Sequence, residues 1–249
     1  MPFDLHLHPS NFATLRADLD AQSAGERLAD LARKTSGRIV FTTSFGLEDQ
    51  AVTHLIAERK LTIEIVTLDT GRLFPETYDL WSETEARYGV TISAYTPQAA
   101  EIETYVSENG INGFRHSVEA RKSCCAIRKL APLARALNGA AIWVTGLRAE
   151  QSQHRASTPM IEHDQTHDLV KFNPLVDWTR EHLVDFITLE QIPYNPLHDK
   201  GFASIGCAPC TRAIRLGEDE RAGRWWWEAD AKRECGLHVP RASQTGADS

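Results

Sequence analysis

Five cysteines carry most of the chemical potential of this sequence, and their spacing sorts them. Cys124 and Cys125 are adjacent, Cys207 and Cys210 form a C-x-x-C pair, and Cys235 stands alone near the C-terminus. An odd number that includes neighbours makes a poor disulfide framework. Two clustered pairs instead suit a metal centre wrapped by four thiolates. The stretch 115–135 supplies countercharge, with Arg115, Arg121, Lys122, Arg128, Lys129 and Arg135 set against Glu119 alone. Such cations favour the ionised thiol that ligation needs. Lys129 follows Cys125 by four residues, which places both on one helical face. Spacing does not separate zinc from iron–sulfur, although adjacent ligands are less usual in four-cysteine zinc sites. The plain alternative is a set of buried, unreactive thiols. Cys235 lies between Lys232, Arg233 and His238, where positive charge would lower a thiol pKa and support nucleophilic attack. Its plain alternative is an incidental exposed cysteine.

Further candidates would grip an anion. Arg148 and Arg155 follow one apolar segment, and Arg221 and Arg224 precede three tryptophans, Trp225–Trp227. Guanidinium forks match phosphate and sulfate oxygens, although isolated arginines are more often a solvated face. The tryptophans read as a packing anchor for the tail. Ser44-Phe45-Gly46 stands between an apolar run and a helical pattern, where Gly46 allows close backbone approach and helix N–H groups favour an anion. Asp69-Thr70-Gly71 forms a second such loop. Neither G-x-x-x-x-G-K-[ST] nor G-x-G-x-x-G occurs, which counts against Walker-type and dinucleotide-binding proteins. His6 and His8 lack supporting metal ligands, and His163 and His167 belong to no H-E-x-x-H arrangement.

These residues need elements to hold them. Arg38–Thr43, Ile63–Leu68, Val90–Tyr95 and Ala140–Val144 read as strands, alternating with helical patterns. Two helices are expected in 10–36, the second opened by a Ser23/Glu26 capping box and stopped by Gly37. Ser117–Leu137 reads as a helix broken near Pro132. Alternation of this kind implies an α/β fold with a parallel sheet wound by right-handed crossovers. Three parts are expected: an N-terminal helical segment (1–36), a main domain (37–224) and a tail (225–249). The 249 residues are 42% hydrophobic and 24% charged, which argues against disorder. A formal charge of −7 argues against a generally basic nucleic-acid-binding surface. The N-terminal residues lack a leader pattern and no run suits a membrane helix, so a cytoplasmic setting is expected.

Taken together, the motifs resemble the assimilatory adenylyl-sulfate reductases of the phosphoadenylyl-sulfate reductase family. The matching segments are Ser44–Gln50, Leu68–Thr77, Arg121–Cys125, Thr145–Ser152, Phe172–Leu175, Gly206–Cys210, Gly217–Glu228 and Glu234–His238. The first loop departs from the Ser-Gly-Gly-x-Asp-Ser form of related ATP pyrophosphatases. The resemblance implies an adenine nucleotide alpha-hydrolase-like (Rossmann-like) parallel sheet flanked by helices, with a mobile C-terminal tail. It implies a [4Fe-4S] cluster on Cys124, Cys125, Cys207 and Cys210, and Cys235 as nucleophile. Lys129, Arg221, Arg224 and His238 would hold the phosphosulfate, with Arg148 and Arg155 adding contacts. Ser44, Phe45, Gly46, Asp69 and Gly71 would cradle adenosine. The implied reaction reduces adenylyl sulfate to sulfite and AMP with thioredoxin, in sulfate assimilation and cysteine biosynthesis. A homo-oligomer is expected, with no nucleic acid or membrane as partner. The rivals are a phosphoadenylyl-sulfate reductase, an ATP pyrophosphatase-type sulfur-transfer enzyme and a non-catalytic iron–sulfur protein.

Overall fold

The computed structural model describes residues 12–228. Its strands are β1 (Arg38–Thr43), β2 (Glu64–Leu68), β3 (Ile92–Tyr95), β4 (Ala140–Val144), β5 (Ile161–Asp164) and β6 (Leu169–Phe172). They form one sheet in the order β3-β2-β1-β4-β6-β5. The central β1 pairs in parallel with β2 and β4, and Ile39, Val40 and Phe41 are all buried. An unbroken apolar run is what a strand covered on both faces requires. The sheet departs from an all-parallel one at β5, which runs antiparallel to β6. The short connection between them allows only a hairpin, because a parallel return needs a longer crossover.

One face is covered by α1 (Phe12–Asp20), α2 (Ala24–Lys34), α3 (Leu47–Glu58) and α8 (Arg180–Leu189). Leu19, Leu28, Leu31, Val52, Leu55 and Leu183 share a core with Phe41 and Phe172, so the N-terminal helices belong to the same packed body as the sheet. Ser23 and Glu26 cap α2 reciprocally, as expected. Gly37, read as a helix stop, serves close approach instead. A Cβ there would collide with Ala141 on β4.

The other face carries α7 (Ala131–Leu137), whose Leu133, Ala136 and Leu137 pack on Val40, Val66 and Trp143. The break before it is a π turn over Ala126–Leu130, in which the Ala131 N–H reaches back to the Ala126 carbonyl. Pro132 cannot donate the next bond, so widening upstream is a physical consequence of its position. That turn follows α6 (Val118–Cys125), which carries the first cysteine pair. Also on the described chain are α4 (Pro75–Tyr88) and α5 (Ala99–Asn109). Residues 225–228, the described start of the expected tail, pack on the main body. Trp225 is 1% exposed within the cysteine-lined core, and Glu228 is clasped by Arg121 at 2.5 Å.

Candidate active site

The chain leaves β1 for β2 and β3 on one side and returns to β4 on the other. Such a reversal opens a crevice at the carboxyl ends of the strands, where open α/β sheets bind ligands. A cleft of about 190 Å³ lies there. Its floor comes from Ser44, Phe45 and Gly46 after β1, Leu68 at the end of β2 and Thr70 after it, and Thr145 and Gly146 after β4. Phe45 holds a left-handed backbone (φ 60°), with its N–H donating to Thr43 Oγ1 at 3.0 Å and its ring stacked on Trp81. Strained backbone of this kind persists where its surroundings fix it. Asn173 secures the β4 exit: its Oδ1 accepts from Thr145 Oγ1 at 2.5 Å, and its Nδ2 donates to the Pro159 carbonyl.

Lys129, Arg155, Arg221 and Arg224 line the cleft and make its far side basic. Arg224 is buried over Gly206, where a Cβ would collide with its guanidinium, and it donates to the Ile205 carbonyl at 3.2 Å. Three expected contacts sit differently. Asp69 and Gly71 shape their loop without lining the cleft: Asp69 Oδ1 accepts from Gly71 N and Tyr78 OH, each at 2.8 Å. Arg148, expected to touch substrate, is fully buried and bonded to Glu48 (2.9 Å), Glu150 (3.2 Å) and Glu220 (3.3 Å). With all its nitrogens committed, it ties the start of α3 to the segment that carries Arg221.

Three acids in the cleft were missed as site residues, although Glu48 and Asp49 belong to the Ser44–Gln50 motif and Glu220 to Gly217–Glu228. Burial works against the charge of Glu48, yet Arg148 and Gln151 outweigh it and hold the carboxyl below its ordinary range. Asp49 goes the other way. Burial raises it to about 6 despite two bonds from Ser44, with Glu48 adding repulsion and Arg155 attraction.

Cys124, Cys125, Cys207 and Cys210 are brought together around a second cavity of about 20 Å³. All four are buried and none is disulfide-bonded. Burial pushes Cys210 up to about 11 and also raises Cys124. At Cys207 burial is outweighed by Lys129, the Thr70 hydroxyl at 3.2 Å and Arg224, so that thiol is lowered. Arg128 and Arg121 complete a cationic wall, and the buried Trp225 Nε1 and Arg128 Nε have no hydrogen-bond partner. Four soft donors, cations and orphaned N–H groups around one small space fit an anionic iron–sulfur group. Among the described residues, no group of three or more His, Cys, Asp or Glu could hold a single metal ion. Lys129, Arg224 and Trp225 line both cavities, so the two share a wall. Cys235 and His238 lie outside the described residues.

A crevice at a strand-order reversal, basic on one side and backed by four clustered thiols, defines an α/β nucleotide-site protein with a thiol-rich centre. The chain belongs to the phosphoadenosine phosphosulfate reductase domain family, whose model matches residues 38–213. It is 53% identical over 245 residues to the adenosine 5'-phosphosulfate reductase of Agrobacterium fabrum, covering 96% of this chain and 93% of that protein. The crystal structure of phosphoadenylyl-sulfate reductase from Candida auris in its phosphate complex superposes with a TM-score of 0.71 at 28% identity, covering 84% of this chain and 98% of that one. FMN adenylyltransferase of Candida glabrata shares the fold (TM-score 0.50, 18% identity, 83% and 68% covered). The fold is thus adenine nucleotide alpha-hydrolase-like, as expected.

Proposed function

We propose that this protein reduces adenylyl sulfate to sulfite and AMP in assimilatory sulfate reduction. The observation that carries the reading is the shared wall. Lys129 and Arg224 face both the nucleotide-sized cleft and the four-cysteine cavity, so an anhydride laid in the cleft ends among cations beside the thiols. The relatives' name gives that anhydride its identity as a phosphosulfate.

In this mechanism the Cys235 thiolate attacks the sulfur of adenylyl sulfate. A sulfur–sulfur bond forms, the sulfur–oxygen bond to phosphate breaks, and AMP departs with the electron pair. Lys129, Arg221 and Arg224 stabilise the charge that develops on phosphate. A dithiol donor of the thioredoxin class then attacks Cys235 Sγ. Sulfite leaves, and the donor's second thiol resolves the mixed disulfide, so two electrons come from the dithiol. Cys124, Cys125, Cys207 and Cys210 would hold a [4Fe-4S] cluster, which supplies a fixed electrostatic field beside the substrate when bound. The same proposal includes a cytoplasmic setting and a homo-oligomeric state. Among the described residues, no helix is long and apolar enough to cross a membrane.

The decisive experiment is thioredoxin-dependent sulfite release with adenylyl sulfate and its 3′-phosphorylated form side by side. Turnover is expected with the first and lost in Cys235→Ser. Equal or greater kcat/KM with the phosphorylated nucleotide would reassign the substrate.

A further inference from the structure

The turn after β1 builds an anion-binding nest that is already filled. Ser44 presents its N–H and its hydroxyl at the cleft floor, beside the N-terminus of α3, where unpaired N–H groups favour negative charge. Both Ser44 donors go to Asp49 Oδ2, at 2.6 and 2.7 Å. The other oxygen backs onto β4's exit, since a Cβ at Gly146 would collide with Asp49 Oδ1. Gly146 on one side and the two Ser44 bonds on the other hold the carboxylate at the cleft floor. Of the cations lining the cleft, Arg155 acts on Asp49 itself, and Lys129, Arg221 and Arg224 make up the rest.

We propose that Asp49 is a specificity-determining residue whose carboxylate takes the place of an external phosphate in the Ser44 nest, so that polyphosphate is rejected there and the ligand's acidic end is turned toward Lys129, Arg221 and Arg224. The inference rests on the cleft being a nucleotide site, and goes further by stating which phosphate chemistry it excludes. A polyphosphate chain reaching the nest would meet a fixed negative charge and two donors already engaged. A phosphate–sulfate anhydride of a nucleoside monophosphate, directed to the basic side, would not. Asp49 thereby selects orientation as well as ligand.

The test is isothermal titration of inorganic pyrophosphate and of AMP into the purified full-length wild type, Asp49→Ser and Asp49→Asn. Serine empties the nest and adds a donor. Pyrophosphate is expected to bind it at least tenfold more tightly than wild type, while AMP affinity changes less than threefold. The pyrophosphate gain should survive addition of Arg221→Gln, which weakens only the basic side. Asparagine keeps the shape and an acceptor while removing the charge, and a gain of at least threefold is expected. Should the serine variant fail to fold, the asparagine variant decides alone. Unchanged pyrophosphate affinity in folded variants would overturn the proposal. So would a parallel loss of AMP and pyrophosphate, which would make Asp49 a direct nucleotide ligand. Wild-type sulfite release, assayed separately, reports on the reductase reading independently of this result.

Discussion

Asp49 and Glu48 are sequence neighbours whose carboxyls shift in opposite directions, and the difference is a matter of partners. Glu48 has the Arg148 guanidinium at 2.9 Å, whereas Asp49 has the neutral donors of Ser44. Asp49 rises from 3.8 to about 6 in the folded protein. Its contribution to stability is therefore complete below pH 3.8 and is lost as pH rises through about 6. Asp49→Asn should accordingly be more stable than wild type at pH 7.5, by at most about 3 kcal/mol at 1.36 kcal/mol per unit. The gain should vanish near pH 4, and urea melts at both values would measure it. Arg148 makes the contrasting case, because its removal strands the buried Glu48 carboxylate, whereas Glu150 and Glu220 keep contacts with Arg180. Arg148→Met is expected to lose about 3–5 kcal/mol in the same assay, with little rescue by lysine, which lacks the planar fork. None of this was legible in the sequence. An arginine that grips substrate and one that grips three glutamates read alike until the fold brings residues 48, 150 and 220 together.

Elements were more readable where one local signal sufficed. The Ser23/Glu26 box and the apolar run of β1 are short-range patterns, and both stand in the structure as read. β5 and β6 were not seen, because each has only four residues and their hairpin mixes His163, His167, Asp164 and Asp168 with apolar positions. The break in the cysteine-bearing helix was expected near Pro132, but its form, a π turn over Ala126–Leu130, depends on how the released hydrogen bonds rearrange. Gly146 belongs to this scale too, since it lets the β4 exit lie against the first turn of α3. Adding one methyl there would press on Asp49 and on Glu48 Cβ at 3.1 Å. Gly146→Ala should therefore weaken AMP binding at least tenfold by titration. Ser23→Ala, remote from the cleft, should lower stability by about 1 kcal/mol and leave AMP binding intact.

At the scale of the molecule, the two cysteine pairs join segments that are far apart in sequence, one at the end of α6 and one just before the stretch that ends at Glu228. The grouping of four thiols was legible from spacing, while the burial of Trp225 and the Arg121–Glu228 clasp beside them needed the fold. Cross-linking through a bound cluster would restrict the unfolded chain as a disulfide does. Cys207→Ser should therefore lower the melting temperature of anaerobically purified protein, whereas Cys235→Ser should leave it unchanged. Iron and acid-labile sulfide analysis should show four of each lost only in the former, as expected for a cluster of that type. The wall formed by Lys129, Arg224 and Trp225 carries one more consequence. Occupants of the two cavities would lie against the same three side chains, so a coupling between the two occupancies is expected, and any such coupling is reciprocal. If AMP strengthens iron retention by some factor, loss of iron must weaken AMP by that same factor. A chelator titration run with and without nucleotide would measure the coupling from either end.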